Sequence, residues 1–311
     1  MSKWWKNNFP IIEEKKVKSL LHKFSGEEYK GYAINPYIGC QHRCVYCYAT
    51  YEWFPEFFDK VLVKINAEEI LKNEIFLYGT DYPIIIASST DPYQPVEIMY
   101  RNTRKILSVL EKYKAQYFIF TKSILIKQDI DIHERNKERC WIIWSLTTLN
   151  EKIKRKIEPF TASANRILEV LRLFSNRGIR CGINIDPIMP FLTDNKEDLY
   201  QIVKLSKENG AKFISAGILR IRKDIWSRLK DFFVSINRKD LIKKYYELYF
   251  SKGEKDGGYL IADKNYSKYI LTLIERFCKK ENIQFGFPFE VPKLETSQCY
   301  IINQFKISDY F

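Results

Sequence analysis

The sequence predicts an α/β fold, a partial (β/α)6 TIM-like barrel followed by a helical C-terminal extension. Short apolar runs alternate with longer amphipathic stretches, which is the pattern of a parallel sheet with crossover helices. Six such units occupy about 190 residues, whereas a closed eight-stranded barrel needs roughly 250. With 46% apolar and 29% charged residues, the chain of 311 residues has the composition of a globular protein.

The strands of this barrel are predicted from runs that are apolar at nearly every position. Such runs are typical of parallel strands that are covered on both faces of the sheet. The six runs are Ala33–Ile38, Pro83–Ala87, Gln116–Thr121, Cys140–Leu146, Arg180–Asp186 and Lys212–Leu219.

Helix signals between the strands support this alternation. The stretch Ser163–Asn176 carries one apolar stripe, and Gly178 predicts its end. Asp194 followed by Glu197 resembles a capping box and predicts the start of the next helix.

The pattern changes after Arg220, where the chain becomes helical and rich in aromatic residues before a turn-rich stretch at Gly253–Gly258. No linker separates this part from the rest, and the sequence shows no internal repeat. We therefore predict an N-terminal extension at 1–31, the barrel at 32–220, and a helical extension at 221–311 that packs on the barrel.

The chain is basic, with a formal net charge of +13. More than half of this excess lies between Arg220 and Lys280, which contain 16 basic and 8 acidic side chains. Such a surface favours anionic partners without identifying one. Part of the charge also fits the surface ion-pair networks of heat-adapted proteins.

Cysteine usage indicates a reducing compartment. Three of the seven cysteines lie within eight residues, and an odd number with irregular spacing is not a disulfide framework. We expect a cytoplasmic protein without membrane contact, because no run approaches the roughly 18 apolar residues of a membrane span. The scattered cysteines, predicted to be buried and unreactive, are Cys140, Cys181, Cys278 and Cys299.

The strongest signal is C-x3-C-x2-C, formed by Cys40, Cys44 and Cys47 after the first predicted strand. Thiolates at this spacing on one loop can bind three irons of a cubane cluster and leave the fourth iron open for another ligand. A structural zinc site is the alternative. It usually needs a fourth ligand nearby, which His42 could supply.

This motif, with an aromatic residue just before its last cysteine, resembles the radical S-adenosylmethionine (SAM) superfamily. The longer string from Asn35-Pro36-Tyr37 to Cys47-Tyr48-Ala49 is more narrowly similar to the spore photoproduct lyase-like group, often labelled DNA repair photolyases. The resemblance covers about residues 32 to 290. Other stretches that agree are Ser89–Glu97, Phe120–Lys122, Ser145–Thr148, Glu158–Pro159 with Arg166, and Asp186–Pro190.

The resemblance implies a [4Fe-4S] cluster on Cys40, Cys44 and Cys47, with the amine and carboxylate of SAM on the fourth iron. Reductive cleavage of SAM then gives a 5′-deoxyadenosyl radical that abstracts hydrogen from a substrate. The cofactor supplies this chemistry, and the protein orients the substrate and excludes water. A flavodoxin- or ferredoxin-like protein is the expected electron donor.

By the same resemblance, Tyr46 lies beside the adenine of SAM. Tyr46 and Tyr48 also flank the last cluster cysteine, where tyrosines of the lyase are implicated in radical relay. The alternative role for both is packing, because aromatic side chains are frequent in protein cores.

Polar residues follow the second predicted strand, at the edge where barrels of this type bind their ligands. They are Ser88, Ser89, Thr90 and Asp91, and we predict that they bind the amine of SAM. Turn formation is their alternative role, since Ser and Asp before Pro commonly start turns.

Later strands end in further candidates. The resemblance implies that Lys122 contacts the carboxylate of SAM and that Ser145 contacts its ribose, with Thr147 and Asn184 as weaker candidates. A lysine directly after an apolar strand is hard to explain as part of a core. We interpret Glu158 and Arg166 as a structural ion pair.

At one position the chain departs from the lyase. Ser88 occupies the place of the lyase's hydrogen-donating cysteine. Because a hydroxyl O–H bond is far too strong to quench a carbon radical as a thiol does, we expect a relative of the lyase and not the lyase itself.

Radical SAM chemistry on an unidentified substrate is therefore the favoured function. DNA or RNA is one candidate substrate, since the basic, tyrosine-rich C-terminal third suits phosphate contacts and base stacking. A solvated helical face over an aromatic core explains the same residues. The alternatives are the same chemistry on a peptide or small molecule, and a non-catalytic zinc- or nucleic-acid-binding protein.

Overall fold

The computed structural model describes residues 10–26, 29–51 and 56–288. The strands are β1 (Ile11–Lys15), β2 (His22–Gly26), β3 (Tyr29–Ile34), β4 (Tyr37–Ile38), β5 (Lys60–Lys64), β6 (Ile84–Ile86), β7 (Tyr117–Thr121), β8 (Cys140–Ser145), β9 (Cys181–Ile188), β10 (Phe213–Ile218), β11 (Glu254–Asp256), β12 (Tyr259–Ile261) and β13 (Gln284–Phe285). The helices are α1 (Ala67–Tyr78), α2 (Glu97–Tyr100), α3 (Asn102–Lys112), α4 (Ile130–Arg135), α5 (Glu151–Ile157), α6 (Ala164–Asn176), α7 (Lys196–Glu208), α8 (Lys223–Ser235), α9 (Asp240–Tyr245) and α10 (Lys264–Lys280).

An eight-stranded sheet with the order β13-β10-β9-β8-β7-β6-β3-β2 forms the centre of the molecule. The six predicted strands correspond to β3 and to β6 through β10, and they lie parallel in chain order. Among the described residues the sheet is open, because its two edge strands, β2 and β13, do not pair with each other. The α/β partial-barrel prediction is confirmed.

The first predicted strand, Ala33–Ile38, is divided in the structure. β3 ends at Ile34, and the two residues of β4 pair instead with β5 in a separate three-stranded sheet that also contains β1. This break turns the chain away from the main sheet immediately before Cys40. The cysteine loop therefore follows β4 of the small sheet and not β3 of the main sheet.

Gly39 joins β4 to the cysteine loop and has a φ angle of +88°. A Cβ atom at this position would lie 2.0 Å from the carbonyl oxygen of Lys60 on β5. Both the left-handed backbone and the close approach of β5 require glycine here.

The best-defined helix prediction is confirmed. α6 starts after Ser163, whose hydroxyl accepts a hydrogen bond from the backbone of Arg166, and Gly178 has a φ angle of +78° just beyond its end. The predicted cap of α7 is wrong by one residue. Asn195 caps that helix, and Asp194 instead accepts a hydrogen bond of 2.6 Å from Tyr266.

The C-terminal extension is less uniformly helical than predicted. The turn-rich stretch at Gly253–Gly258 lies within the hairpin of β11 and β12, and β13 adds a parallel strand to β10 at the edge of the main sheet. The boundaries at 31 and 220 remain predictions. Cys299 and the rest of 289–311 lie outside the described residues.

Apolar side chains fill both faces of the main sheet. The largest cluster lies between the strands and the helices around them, and a smaller one on the other face includes Ile85, Phe118 and Phe213. A third core joins the extension to the cysteine loop, because Leu229 and Phe233 pack with Cys44 and Tyr46. Burying this apolar surface supplies most of the stabilisation of the fold.

The described scattered cysteines, Cys140, Cys181 and Cys278, are buried and free, as predicted. Burial raises the pKa of Cys140 and of Cys278 to about 12. None of the helices in the described ranges combines the length and the apolar character needed to cross a bilayer.

His133 lies in this core between two tyrosines. Its Nδ1 atom is 3.1 Å from the hydroxyl of Tyr117, and its Nε2 atom is 3.2 Å from the hydroxyl of Tyr93. Burial lowers the pKa of His133 to about 3, so the folded protein holds this imidazole neutral.

We predict that His133 makes the folded state more sensitive to acid. Between the ordinary pKa of 6.5 and the buried value of about 3, the unfolded chain binds a proton that the native state does not. The free energy of unfolding therefore falls as the pH falls, by at most about 1.4 kcal/mol per pH unit from this residue.

Urea unfolding of the wild type and a His133→Gln variant across this pH range measures the difference, because all other titrating groups are shared. The wild type should lose stability more steeply on acidification. Parallel pH profiles would contradict a neutral, buried imidazole.

Candidate active site

A cavity of about 360 Å³ opens at the carboxyl ends of the parallel strands. Of the thirteen predicted site residues, twelve line it and Thr147 does not. The twelve are Cys40, Cys44, Tyr46, Cys47, Tyr48, Ser88, Ser89, Thr90, Asp91, Lys122, Ser145 and Asn184. Residues that are distant in sequence are thus brought together at the edge where parallel α/β sheets bind ligands.

The cysteine loop is held by backbone contacts with its surroundings. The amide of Cys40 donates to the carbonyl of Phe57 at 3.2 Å, and the amide of Val45 donates to the carbonyl of Ile157 at 2.9 Å. Cys40 and Cys44 are buried and Cys47 is half-buried, and none of the three forms a disulfide with another described cysteine. Burial raises the pKa of Cys40 to about 12.

Two glutamines bracket the first cysteine. The side chain of Gln94 donates to the carbonyl of Gly39 at 3.0 Å and accepts from the amide of Gln41 at 2.9 Å. The side chain of Gln41 in turn accepts from the amide of Val96 at 2.7 Å. Neither glutamine was predicted as a site residue, although both lie inside stretches that carry the resemblance.

Asn35 organises the polar turn after β6. Its side chain donates to the hydroxyl of Ser88 at 2.9 Å and accepts from the amides of Ser89 and Thr90 at 2.9 and 3.2 Å. The hydroxyl of Thr90 donates to the carbonyl of Tyr37 at 3.0 Å. These contacts support the turn-forming role that was the alternative for Ser88, Ser89 and Thr90, and they also fix the cavity wall.

Asp91 joins this turn to β7 and to the cysteine loop. Its carboxylate accepts from the amides of Tyr93 and Lys122 at 2.9 and 2.7 Å and from the hydroxyl of Thr121 at 2.8 Å. His42 Nδ1 lies 3.3 Å from the same carboxylate. Burial works against the charge, but His42 and these donors hold the pKa of Asp91 below its usual value.

Glu158 is the buried acid of the site, and its predicted pairing with Arg166 is wrong. Arg166 is exposed on α6, whereas Glu158 is buried and lies 3.1 Å from the ammonium of Lys122. Lys154, one turn earlier on α5, donates to the other carboxylate oxygen. Burial opposes the charge, yet the two lysines hold the pKa of Glu158 well below its usual value.

Tyr46 and Thr147 complete this group. The hydroxyls of both donate to one carboxylate oxygen of Glu158, that of Thr147 at 3.0 Å. The ammonium of Lys122 lies 5.5 Å from the centroid of the Tyr46 ring. Thr147 therefore contacts Glu158 behind the cavity wall, and neither of the two lines the cavity.

Tyr48 and Ser88 meet on the cavity wall, where the Tyr48 hydroxyl donates to the carbonyl of Ser88. Farther along the sheet edge, Asn184 accepts from the hydroxyl of Ser215 at 2.8 Å. Asp186 also lines the cavity, and burial raises its pKa.

The extension supplies Tyr259 and Leu271 to the cavity wall, next to Arg220 at the end of the predicted barrel. The guanidinium groups of Arg220 and Arg222 lie 4.7 and 4.0 Å from the centroid of the Tyr259 ring. Neither Asp186 nor Arg220 was predicted as a site residue. Their positions at or just after the ends of predicted strands were the available signal.

Comparison with known protein families assigns the chain. The family described as the radical SAM superfamily matches residues 34–206, which is more than half of the chain and includes the cysteine motif. The chain belongs to the radical SAM superfamily. Its members are enzymes that use a [4Fe-4S] cluster and SAM and that need a reductant, and this chain is such an enzyme.

Individual proteins are similar to large parts of the chain. The chain is 33% identical over 167 residues to an uncharacterized protein of Methanocaldococcus jannaschii, a match that spans 52% of this chain and 62% of that protein. It is 29% identical over 229 residues to an uncharacterized protein of Acidianus two-tailed virus, spanning 68% of this chain and 75% of that protein.

A solved structure of a spore photoproduct lyase variant, with bound AdoMet and dinucleoside spore photoproduct, has the same fold. The TM-score is 0.69 at 15% sequence identity, and the match covers 88% of this chain and 80% of that one. At this identity the likeness concerns the fold.

The residues present fit the cofactors of the superfamily. Three thiols of one loop face a cavity whose walls carry an ammonium group, hydroxyls and amide groups, which are suitable donors for the polar groups of SAM. Within the described residues, no three His, Cys, Asp or Glu side chains converge to hold a single metal ion. The family assignment supports the cluster over the zinc alternative.

We predict that Glu158→Gln strongly destabilises the fold. The substitution leaves Lys122 and Lys154 buried beside a neutral amide, and breaking a buried ion pair in this way costs about 3–5 kcal/mol. Urea denaturation of the iron-free protein measures the loss.

Arg166→Gln serves as the matched control, because Arg166 is exposed. Its free energy of unfolding should remain within about 0.5 kcal/mol of the wild type. Equal losses of unfolding free energy in the two variants would indicate a Glu158–Arg166 pair and contradict the pairing of Glu158 with Lys122 and Lys154.

Proposed function

We propose that this radical SAM enzyme binds its [4Fe-4S] cluster through Cys40, Cys44 and Cys47 and abstracts hydrogen from a nucleic-acid substrate. One observation carries the proposal. The three thiols, the polar strand ends, the cation of Arg220 and the ring of Tyr259 all line the same cavity. When bound, the cluster and SAM together supply a 5′-deoxyadenosyl radical, which is able to break a C–H bond of a substrate held in that cavity.

The strand ends are assigned to binding SAM. Lys122 is a cation fixed by Glu158 and is suited to a carboxylate, while Ser88, Ser89, Thr90 and Asp91 offer oxygens to an amine. Ser145 and Asn184 are suited to hydroxyl groups of the ribose. Thr147 acts through Glu158, because its hydroxyl contacts that carboxylate.

The two tyrosines of the cysteine loop have different surroundings. Tyr46 is buried with its hydroxyl on Glu158, which presents the ring as a wall for the adenine. Tyr48 is half-buried and its hydroxyl reaches the carbonyl of Ser88. A role for Tyr46 and Tyr48 in radical relay remains part of the proposal.

A nucleic-acid substrate is supported by the chemistry of the cavity wall around Arg220 and Tyr259. Arg220 places a cation in the cavity beside the ring of Tyr259, and a flat ring with guanidinium groups suits bases and phosphates. The fold is shared with a lyase whose structure holds a dinucleoside photoproduct. Four aromatic residues precede the turn-rich stretch and divide into two pairs in the structure. They are Tyr245, Tyr246, Tyr249 and Phe250.

Tyr245 and Tyr249 are fully buried and stack on each other with centroids 5.6 Å apart, so these two form core. Tyr246 and Phe250 are 54% and 39% exposed, and their nearly parallel rings lie 5.0 Å apart. This exposed pair is available to stack on bases, and Lys243 on α9 is exposed close by in sequence.

The final hydrogen transfer differs from that of the lyase. Ser88 stands where the lyase has its donor thiol, and its hydroxyl already contacts Asn35. Among the described residues that line the cavity, the cysteines are Cys40, Cys44 and Cys47, all assigned to the cluster. The proposed reaction therefore does not use a protein thiol at the end of β6. A flavodoxin- or ferredoxin-like protein is the proposed electron donor.

We predict that Cys44→Ala abolishes cluster assembly and cleavage of SAM, because the cluster loses one of three protein ligands. Anaerobic reconstitution with iron and sulfide, iron analysis, and assay of 5′-deoxyadenosine after reduction with dithionite measure both effects. Cys140→Ala is the matched control, since it removes a buried thiol from β8 and should retain iron and cleavage. Cleavage by the Cys44 variant would overturn the ligand assignment.

We predict salt-dependent binding of DNA or RNA oligonucleotides, measured by fluorescence anisotropy. Arg220→Gln, and Lys243→Gln combined with Lys244→Gln, should weaken binding. Each substituted side chain that binds a phosphate should reduce the slope of log affinity against log salt by about 1. Lys137→Gln, an exposed lysine at the opposite end of the strands, is the control.

If binding by the Lys137→Gln variant weakened as much as binding by the other variants, the effect would be one of general charge. Absence of binding at low salt, with SAM cleavage intact, would exclude nucleic acid and leave a peptide or small molecule as substrate.

A further inference from the structure

We propose that Arg228, on α8 of the C-terminal extension, is a positioning residue that fixes the cysteine loop and raises the reduction potential of its cluster. The inference rests on the assignment of Cys40, Cys44 and Cys47 as cluster ligands. It concerns a residue that neither the motif nor the strand ends select.

The side chain of Arg228 donates hydrogen bonds to the second half of the cysteine loop, mainly to backbone carbonyls of that loop. Its Nε atom donates to the carbonyl of Val45 at 3.1 Å, and Nη2 donates to the carbonyl of Cys47. Nη1 donates to the hydroxyl of Thr50 at 2.6 Å. One side chain therefore holds three points on the segment 45–50, which contains Cys47 and directly follows Cys44.

Two neighbours complete the arrangement. The carboxylate of Asp224, one turn earlier on α8, lies 3.2 Å from Nη1 of Arg228. The hydroxyl of Thr50 lies 3.0 Å from the carbonyl of Cys47 and 2.8 Å from the same carboxylate. The planar guanidinium has the fork geometry that serves several acceptors at once, which a lysine ammonium lacks.

The charge of Arg228 is shielded from solvent. The side chain is 5% exposed, and its guanidinium lies 5.6 Å from the ring centroid of Phe58. The same region of α8 packs Leu229 and Phe233 against Cys44 and Tyr46 in one apolar cluster. A cation in such surroundings acts on its neighbours with little screening by water or salt.

The expected effect on the cluster follows from charge. Reduction adds an electron, so a fixed positive charge beside a ligand stabilises the reduced state relative to the oxidised one. Net charge, hydrogen bonding and solvent exposure are the means by which a protein sets the potential of an iron–sulfur cluster. Arg228 contributes to all three at Cys47, since it packs on the loop, donates to the carbonyl and brings a charge that the more exposed carboxylate of Asp224 offsets only in part.

The test compares Arg228→Met, which removes the charge, with Arg228→Lys, which retains it without the fork. After anaerobic reconstitution, a redox titration followed by electron paramagnetic resonance gives the midpoint potential of the cluster. Arg228→Met should have a lower midpoint potential than the wild type, and Arg228→Lys should lie between them. Arg238→Met, which removes an exposed arginine of the same extension, should leave the potential unchanged.

A second readout uses the iron-free protein. Alkylation of Cys47, which is half-buried, should become about tenfold faster in both Arg228 variants and in Thr50→Val, because the loop loses hydrogen bonds that hold it closed. Thr50→Val also tests how firmly the loop is held with Arg228 itself intact, should the Arg228 variants fail to fold.

The outcomes separate the two proposals. If the wild type assembles no cluster, the ligand assignment fails, and alkylation still measures the positioning role. If the wild type assembles a cluster and Arg228→Met keeps the same midpoint potential and the same alkylation rate, the role of Arg228 is overturned. Faster alkylation without a change in potential would reduce Arg228 to a structural anchor and contradict the redox part.

Discussion

The buried carboxylate of Glu158 is the group on which the arrangement of the cavity depends. It sits between the ammonium groups of Lys122 and Lys154 and accepts from Tyr46, so β7, α5 and the cysteine loop converge on one charge. A buried carboxylate without partners is strongly unfavourable, and each partner here is fixed by the need to compensate it. The position of Lys122 in the cavity is therefore a consequence of an acid that does not line the cavity.

The same principle operates on the other side of the cysteine loop, where Asp91 collects donors from His42, Thr121 and two backbone amides. Two buried acids thus flank the loop, and each draws one polar group from it. The loop is held by electrostatic compensation and by backbone hydrogen bonds more than by its own secondary structure. This explains how a segment with little regular structure presents three thiols to one cavity.

Much of the fold was predictable from the sequence, because parallel strands covered on both faces are continuous apolar runs. The small sheet was not, since β4 has two residues and β1 is largely exposed and carries charged side chains. The strands β11 and β12 have three residues each, and the sequence around them indicates turns. The strand β13 has two residues, and its partner β10 lies about 70 residues earlier, a separation that local patterns do not report.

The candidate site was predictable where a motif or a strand end marked it, and this applies to the three cysteines and to Lys122. Glu158 was misjudged because Arg166 is near it in sequence, while Lys122 follows β7 and contacts Glu158 only in the folded chain. Arg228 was missed for the same reason, since its hydrogen bonds to Val45 and Cys47 span about 180 residues. Compensation of buried charge is a property of the folded chain as a whole.

The pairing of β13 with β10 limits how substrates reach the cavity. The extension leaves the sheet at the end of β10 and returns to the same strand, where Phe213 and Ile214 pair with Gln284 and Phe285. A segment anchored at both ends on one strand cannot swing outward about a single hinge as a lid does. Any movement of the extension that admits a bulky substrate is therefore local, and the hairpin that carries Tyr259 is the element at the cavity wall.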